Sequence, residues 1–406
     1  MSSVSTAPAA QQHRRRSRGP GSARGREAAS GWLFLTPMLV ILGLFLVVPV
    51  LMALWVSLSD WTGRGSPLAS DVGFVGLDNY RDLLLGGGLA TQDFGTALRN
   101  NAYYVLLVVP LQTALALFLA TVVNRKALRG RGLFRTAFYF PSVTSSVAIT
   151  VLWLFLFSAS GTINGLLAKL SIDGPNWFND PRGVLHLVLA AVGVDTAPAA
   201  LAQHGFLGIP LWEWLAGPSV AMSAFILLAI FTTSGTFMLL FLAGLQAVSA
   251  DVEEAAVMDG ANARQRFFRV TLPMLRPTVF TVVTLGLIGT WQVFDQIYTG
   301  TQGGPAKTTL TPAYLSYSAA FQNNQWGRGA AIAFVLFAII VILTVVQRVV
   351  LRERDTVPRR RRFHREPPAP PAAVAATVAT TGSPGAGTLT SAPPAAATPP
   401  TDRSDR

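Results

Sequence analysis

Apolar residues in this chain gather into runs long enough to cross a bilayer, which takes about 20 residues. Six such runs are visible, at roughly 32 to 58, 99 to 123, 133 to 157, 219 to 248, 272 to 294 and 329 to 350. They predict an all-α integral membrane protein with six transmembrane helices. The first run follows a basic segment, but its apolar part is much longer than the ~7 to 15 residues of a signal-peptide core. It reads as a retained anchor. Between the third and fourth runs, residues 158–218 are expected to form an external loop. Its stretch "GVLHLVLAAVGV" is too short to span and predicts a packed external helix. A seventh span there would put the two termini on opposite sides.

The loops set an orientation. "NRKALRGRGLFR", between the second and third runs, carries Arg125, Lys126, Arg129, Arg131 and Arg135 and no acid, whereas Asp60 to Asp93 holds five aspartates and two arginines. Positively charged short loops stay cytoplasmic. The first segment is therefore expected inside, the second outside, and both termini inside. The segment joining the fourth and fifth runs is then cytoplasmic as well.

Composition agrees: 51% of the 406 residues are hydrophobic and 13% charged, with a mean hydropathy of +0.43. Soluble domains carry about 25% charged residues. The formal charge of +12 looks like a nucleic-acid signal until it is located. Much of it sits in "HRRRSRGPGSARGR" and "QRVVLRERDTVPRRRRFHR", which flank apolar runs and lack the interleaved aromatics that stack on bases. No nucleic-acid partner is expected. Residues 1–28 and 353–406, rich in Arg, Pro, Ala and Thr, have little to bury and are expected to be disordered; residues 29–352 form the membrane domain.

Candidate chemistry is sparse. Cysteine is absent, and His13, His186, His204 and His364 lie far apart without ligand spacing, so no metal site is expected. "GGPAKTTL" (303–310) imitates a phosphate loop, yet Ala306 stands where a Walker A motif needs Gly before its Lys. It reads as a turn-rich loop. No cofactor and no catalytic residue are expected, since no nucleophile–base or metal constellation lies within the spans.

The segment "EEAAVMDGANARQRFFRVTLPMLRP" (253–277) interrupts this apolar background. "DVEEAAVMDGA" predicts a short helix with acids in its first turn, where backbone N–H groups favour negative charge, and a stop at Gly260. "NARQRFFRVTL" predicts a second, amphipathic helix, and Pro273 and Pro277 fit the first turn of the fifth span.

Glu254, Ala255, Ala256, three residues, Gly260, nine residues, Val270, one residue, Leu272 and Pro273 follow the spacing E-A-A-x3-G-x9-[IV]-x-L-P. This resembles the coupling loop of binding-protein-dependent ABC importer permeases. "FVGLDNYRDLL", "NRKALRGRGLFRTAFYFPSVTSSVAITVLW", "FMLLFLAGLQAVSADVEEAAVMDGA" and "IGTWQVFDQIYTGTQGGP" resemble the maltose-type, carbohydrate branch. The likeness covers about residues 30 to 352, and departs from it in both tails and in the length of 181–217.

The resemblance implies a multi-pass permease subunit of a prokaryotic plasma membrane, itself not an enzyme. Its implied partners are a cytoplasmic ABC ATPase dimer, a second permease subunit and an extracytoplasmic sugar-binding protein. Glu254, Ala255, Ala256, Asp259, Gly260, Leu272 and Pro273 would form the ATPase-coupling loop. Trp291, Gln292, Asp295, Gln296 and Tyr298, clustered at the outer end of the fifth span, fit either an interfacial aromatic belt or a sugar path, in which aromatic faces stack on C–H surfaces and amides pair with hydroxyls. Trp212 and Trp214 are weaker candidates. The competing function, an ion-coupled secondary transporter, usually needs ionisable groups facing the bundle interior. The first, second, fourth and sixth runs hold none between their ends.

Overall fold

The computed structural model describes residues 20–125, 128–194 and 196–350, with side chains from Ser30 onward. The expectations for residues 1–19 and 353–406 lie outside the described residues. Helix begins at Pro20 and runs as Pro20–Leu42. "ARGREAA" is made largely of good helix formers and extends the apolar helix that follows.

Among the described residues, five helices are long and apolar enough to cross a membrane: Ser30–Ser57, Leu89–Val123, Val220–Gln246, Arg276–Gly300 and Trp326–Val350. The expected third span does not form one straight helix. It is a pair, Arg131–Val143 and Ser146–Leu156, bent by 97°. Thr144 and Ser145 adopt extended backbone between the halves, and Pro141, Ser142 and Ser146 surround the break. Short polar side chains offer the backbone alternatives to the helical ladder. At about 1.5 Å per residue, neither half reaches the ~30 Å of a hydrocarbon core.

The second spanning helix also exceeds its expected limits. Leu89–Val123 has 35 residues, about 52 Å at the helical rise. Its first third, "LATQDFGTALRNN", is too polar to register as a span, but folds into the same helix because Thr91, Phe94, Ala97, Asn100 and Asn101 are all buried against neighbouring segments.

The core lies along the contact of this helix with Val220–Gln246. Tyr104, Val108, Met222, Phe225 and Leu228 fill one half; Ala116, Ala120, Met238, Phe241 and Leu275 fill the other. Helices in lipid gain little from apolar burial against one another, so close approach through small residues matters more. Ala116 and Ala120 are fully buried. At Gly235 a Cβ would lie 2.2 Å from the Phe138 carbonyl oxygen, which places the backbone of the bent pair directly on this helix.

Residues 158–218 form short helices and a two-stranded hairpin, Gly205–Phe206 with Ile209–Pro210. "GVLHLVLAAVGV" contributes the helix Val184–Ala191. Trp212 stacks on His186 at 4.5 Å, and Trp214 Nε1 donates to the Phe206 carbonyl, so both tryptophans pack within this segment. Arg99 pairs with Glu213 at 3.3 Å, tying it to the second spanning helix. The 303–310 loop is pinned to the same helix: Lys307 pairs with Asp93 at 2.6 Å, and Asn100 Nδ2 donates to the carbonyls of Lys307 and Leu310.

Candidate functional site

Two sites stand at opposite ends of one stretch of chain. At the first, the helix Ala250–Met258 starts at Ser249, whose side chain accepts from the Asp251 N–H, with Asp251 and Glu253 in the first turn. It ends where Gly260, at φ +77°, donates to the Val257 carbonyl and Ala261 donates to the Ala256 carbonyl. This is a Schellman stop, which needs a left-handed residue at the glycine position. Asn262 and Gln265 then form a capping box that opens Ala263–Arg266. A π turn at Phe267–Thr271 and the single turn Leu272–Met274 lead into Arg276–Trp291.

Of the expected coupling residues, Glu254, Ala255, Asp259 and Gly260 are exposed, whereas Ala256 is buried and Leu272 and Pro273 are half-buried. Met258 is 86% exposed, with Val257 and Val252 beside it on the surface. The helix thus presents an acid and an apolar edge outward while Ala256 faces its own chain. Leu275, 1% exposed, packs with Phe241, Leu242 and Val282 and anchors the segment to the bundle.

At the second site the helix breaks again, with Val293 and Phe294 outside helical structure between Arg276–Trp291 and Asp295–Gly300. A cavity of about 270 Å³ lies here, lined by Tyr104, Gln112, Ser146, Thr233, Phe237, Gln292, Asp295 and Gln296 among others. A second of about 270 Å³ adjoins it, sharing Ser146, Thr233, Phe237 and Gln296 and adding Ser142, Thr144 and Thr236. Both helix breaks therefore border the same polar space. Non-helical backbone is tolerated at membrane depth only where it is buried in protein or lines a water-filled cavity.

The polar groups are arranged rather than scattered. The Tyr104 hydroxyl donates to Gln296 Oε1 at 3.3 Å. Thr233 Oγ1 shares its one proton between Gln112 Oε1 at 2.5 Å and the Ala229 carbonyl at 2.7 Å, and Gln112 Nε2 is left buried without a partner. Gln112 is 0% exposed. A buried amide donor left unpaired costs roughly 1–3 kcal/mol, so an acceptor arriving in the cavity would recover that loss.

Three of the five residues expected on the substrate path, Gln292, Asp295 and Gln296, are brought to this cavity. Trp291 is not. It is 6% exposed and packs with Val105, Val109, Leu336 and Ile340 on the other side of the helix. One residue turns a helix by about 100°, enough to send Trp291 into the core while Gln292 meets the cavity. Tyr298 stands in an aromatic cluster, 5.4 Å from Phe294 and 5.3 Å from Tyr317 between ring centres, off the cavity wall. Tyr104, Gln112 and Thr233 escaped the sequence reading, although a glutamine inside "VVPLQTALALFLA" and the threonines of "FTTSGTF" are signals in apolar runs.

A larger cavity, about 710 Å³, is apolar and lies among Met52, Trp61, Phe321, Trp326 and Phe337. It has few groups that would orient a polar solute, so the smaller polar pair is the better candidate site.

Comparisons with known proteins agree with this geometry. Residues 112–355 match the family model described as binding-protein-dependent transport system inner membrane component. The lactose transport system permease protein of Rhizobium radiobacter is 30% identical over 330 residues, 80% of this chain and 95% of that protein. The multiple sugar-binding transport system permease protein of Streptococcus mutans serotype c is 31% identical over 317 residues, 78% of this chain and 93% of its own. A chain of a bacterial ABC transporter that imports the acidic polysaccharide alginate superposes with a TM-score of 0.62 at 17% identity, covering 82% of this chain and 99% of that one. That last likeness concerns the fold alone. The family match over most of the membrane domain and the relatives' near full-length coverage give one conclusion: the chain belongs to the inner membrane components of binding-protein-dependent transport systems.

Proposed function

We propose that this chain is the pathway-forming permease subunit of an ATP-driven importer for a carbohydrate delivered by an extracytoplasmic binding protein. The observation that carries this reading is the continuity of the two sites. An exposed acidic helix, Ala250–Met258, leads through one short stretch of chain into the helix whose far end lines the polar cavity. Relatives named for lactose and for multiple sugars support the solute class.

In this reading both termini and the exposed helix are cytoplasmic, in keeping with the basic loop that contains Arg125, Arg129 and Arg131. A cytoplasmic ATPase dimer receives Ala250–Met258, a second permease subunit completes the pathway, and ATP is hydrolysed by the partner. The helix Arg276–Trp291 has 16 residues, about 24 Å at the helical rise. It is a rigid link. Its base is jointed rather than continuous, because Leu275 leaves helical geometry between Pro273 and Pro277. Movement of the ATPases at Glu254 and Met258 therefore tilts the helix from below and shifts Gln292 and Asp295 at its upper end.

The test is co-purification. Glu254→Lys and Met258→Asp are each expected to lower the ATPase recovered with the permease by about tenfold, equivalent to ~1.4 kcal/mol, with transport falling in parallel. Wild-type recovery and wild-type uptake in both variants would refute the docking role of this helix.

A further inference from the structure

The cavity pair has a charge inventory that selects among solutes. Among the described residues, Asp295 is the one charged side chain on its walls, and no Lys, Arg or His lines either half. The ion pairs found among those residues, Arg99–Glu213, Arg182–Asp180 and Lys307–Asp93, leave Asp295 out. An ionised carboxylate accepts hydrogen bonds and donates none. Across the same cavity Gln112 Nε2 is a buried donor without an acceptor.

We propose that the solute is an uncharged polyhydroxyl compound, a neutral saccharide, and that Asp295 discriminates against sugar acids and sugar phosphates. The inference rests on the importer reading above. A hydroxyl is donor and acceptor at once, so neighbouring hydroxyls on one sugar ring can donate to Asp295 and accept from Gln112. A carboxylate or phosphate on the solute offers acceptors only. It would serve Gln112 but set a like charge against Asp295, and facing like charges suppress the wrong partner. An ammonium group, all donor, serves Asp295 and leaves Gln112 unpaired. Of these three kinds of group, the hydroxyl alone meets both demands. The alginate importer shares this fold and carries an acidic polysaccharide; fold similarity does not fix cargo, and the walls here point to an uncharged one.

The test uses the assembled transporter, permease pair with ATPases, in nanodiscs without nucleotide. Sugar binding is read by saturation-transfer NMR titration with matched pairs: lactose and lactobionate, maltose and maltobionate, melibiose and melibionate. Each acid differs from its sugar by oxidation of the reducing end, which opens that ring, and by one negative charge. The best-bound neutral sugar is expected to bind at least about tenfold more tightly than its acid. Asp295→Asn and Asp295→Ser are expected to bring the two within about threefold, because the repelling charge is gone. Equal affinity for a sugar and its acid in the parent, or an unchanged ratio in both variants, overturns the inference while leaving the importer reading intact. Failure of every sugar, neutral or acidic, to bind a complex that retains its ATPases overturns the carbohydrate reading itself.

Discussion

Replacing Gly235 by valine is expected to abolish the stable fold of this permease in detergent, and with it transport. A Cβ at Gly235 would stand 2.2 Å from the Phe138 carbonyl oxygen and 2.7 Å from Ser142 Oγ. A carbonyl oxygen cannot rotate aside as a side chain can, so the helices Arg131–Val143 and Val220–Gln246 must separate. Overpacking of this kind costs up to about 3 kcal/mol and occasionally more. Separation also disturbs Ser142 and Thr236, which line the polar cavity. Even Gly235→Ala meets the carbonyl, and it is expected to lower the detergent melting temperature measurably, with valine more severe. Gly132→Ala is the control. It lies in the same bent pair, and a Cβ there meets nothing within 4 Å. Equal melting temperatures for the Gly235 variants and the control would show that the two helices are not in backbone contact at Gly235.

This contact shows why the sequence discloses the fold only in part. The apolar run at 133–157 is legible as membrane-embedded, but hydropathy carries no information about direction, so the 97° turn at Thr144 and Ser145 passes unseen. The same holds at Val293 and Phe294, both apolar and both outside helix. The polar start of Leu89–Val123 is missed for the opposite reason: it is helical because tertiary neighbours bury it, not because its own composition demands lipid. The exposed Ala250–Met258 helix was legible to within a residue or two, since its cap, acids and glycine stop are all local signals.

The cavity is legible in thirds. Gln292, Asp295 and Gln296 stood out as polar residues at the end of an apolar run. Trp291 stood out equally, yet rotation about the helix axis takes it to the core. Tyr104 meets Gln296 across 192 positions, and Gln112 meets Thr233 across 121. Such pairings follow from which helices adjoin, and hydropathy alone does not state that. A membrane protein thus reveals its spans through composition, its exposed polar helices through local motifs, and its internal cavities mainly through packing.

The second large effect is expected at Gly286, and there it should strike transport rather than folding. A Cβ on this residue would lie 2.4 Å from Gln112 Nε2 and an ordinary 3.7 Å from Phe237 Cε2. The atom in the way is the free end of a side chain, held only by the Thr233 hydroxyl at its oxygen. Gly286→Ala therefore displaces the amide and leaves the backbones in place. Loss of one hydrogen bond that a buried polar group makes with solute is worth about 1–3 kcal/mol, so uptake should fall by about fivefold at least and up to about a hundredfold. Melting temperature and ATPase recovery should stay near parental values. Gln112→Ala should reduce uptake similarly, having deleted the same donor. The double variant decides whether the two act through one group, since residues that share a contact are not additive. If the alanine at 286 harms only by moving the amide, then adding Gly286→Ala to Gln112→Ala costs nothing further, because the shortened side chain no longer reaches the new methyl. Multiplied losses in the double variant would show instead that Gly286 serves the pathway by itself, as a smooth wall beside Gly289 and Thr290, and that the unpartnered amide is not the group that meets the solute.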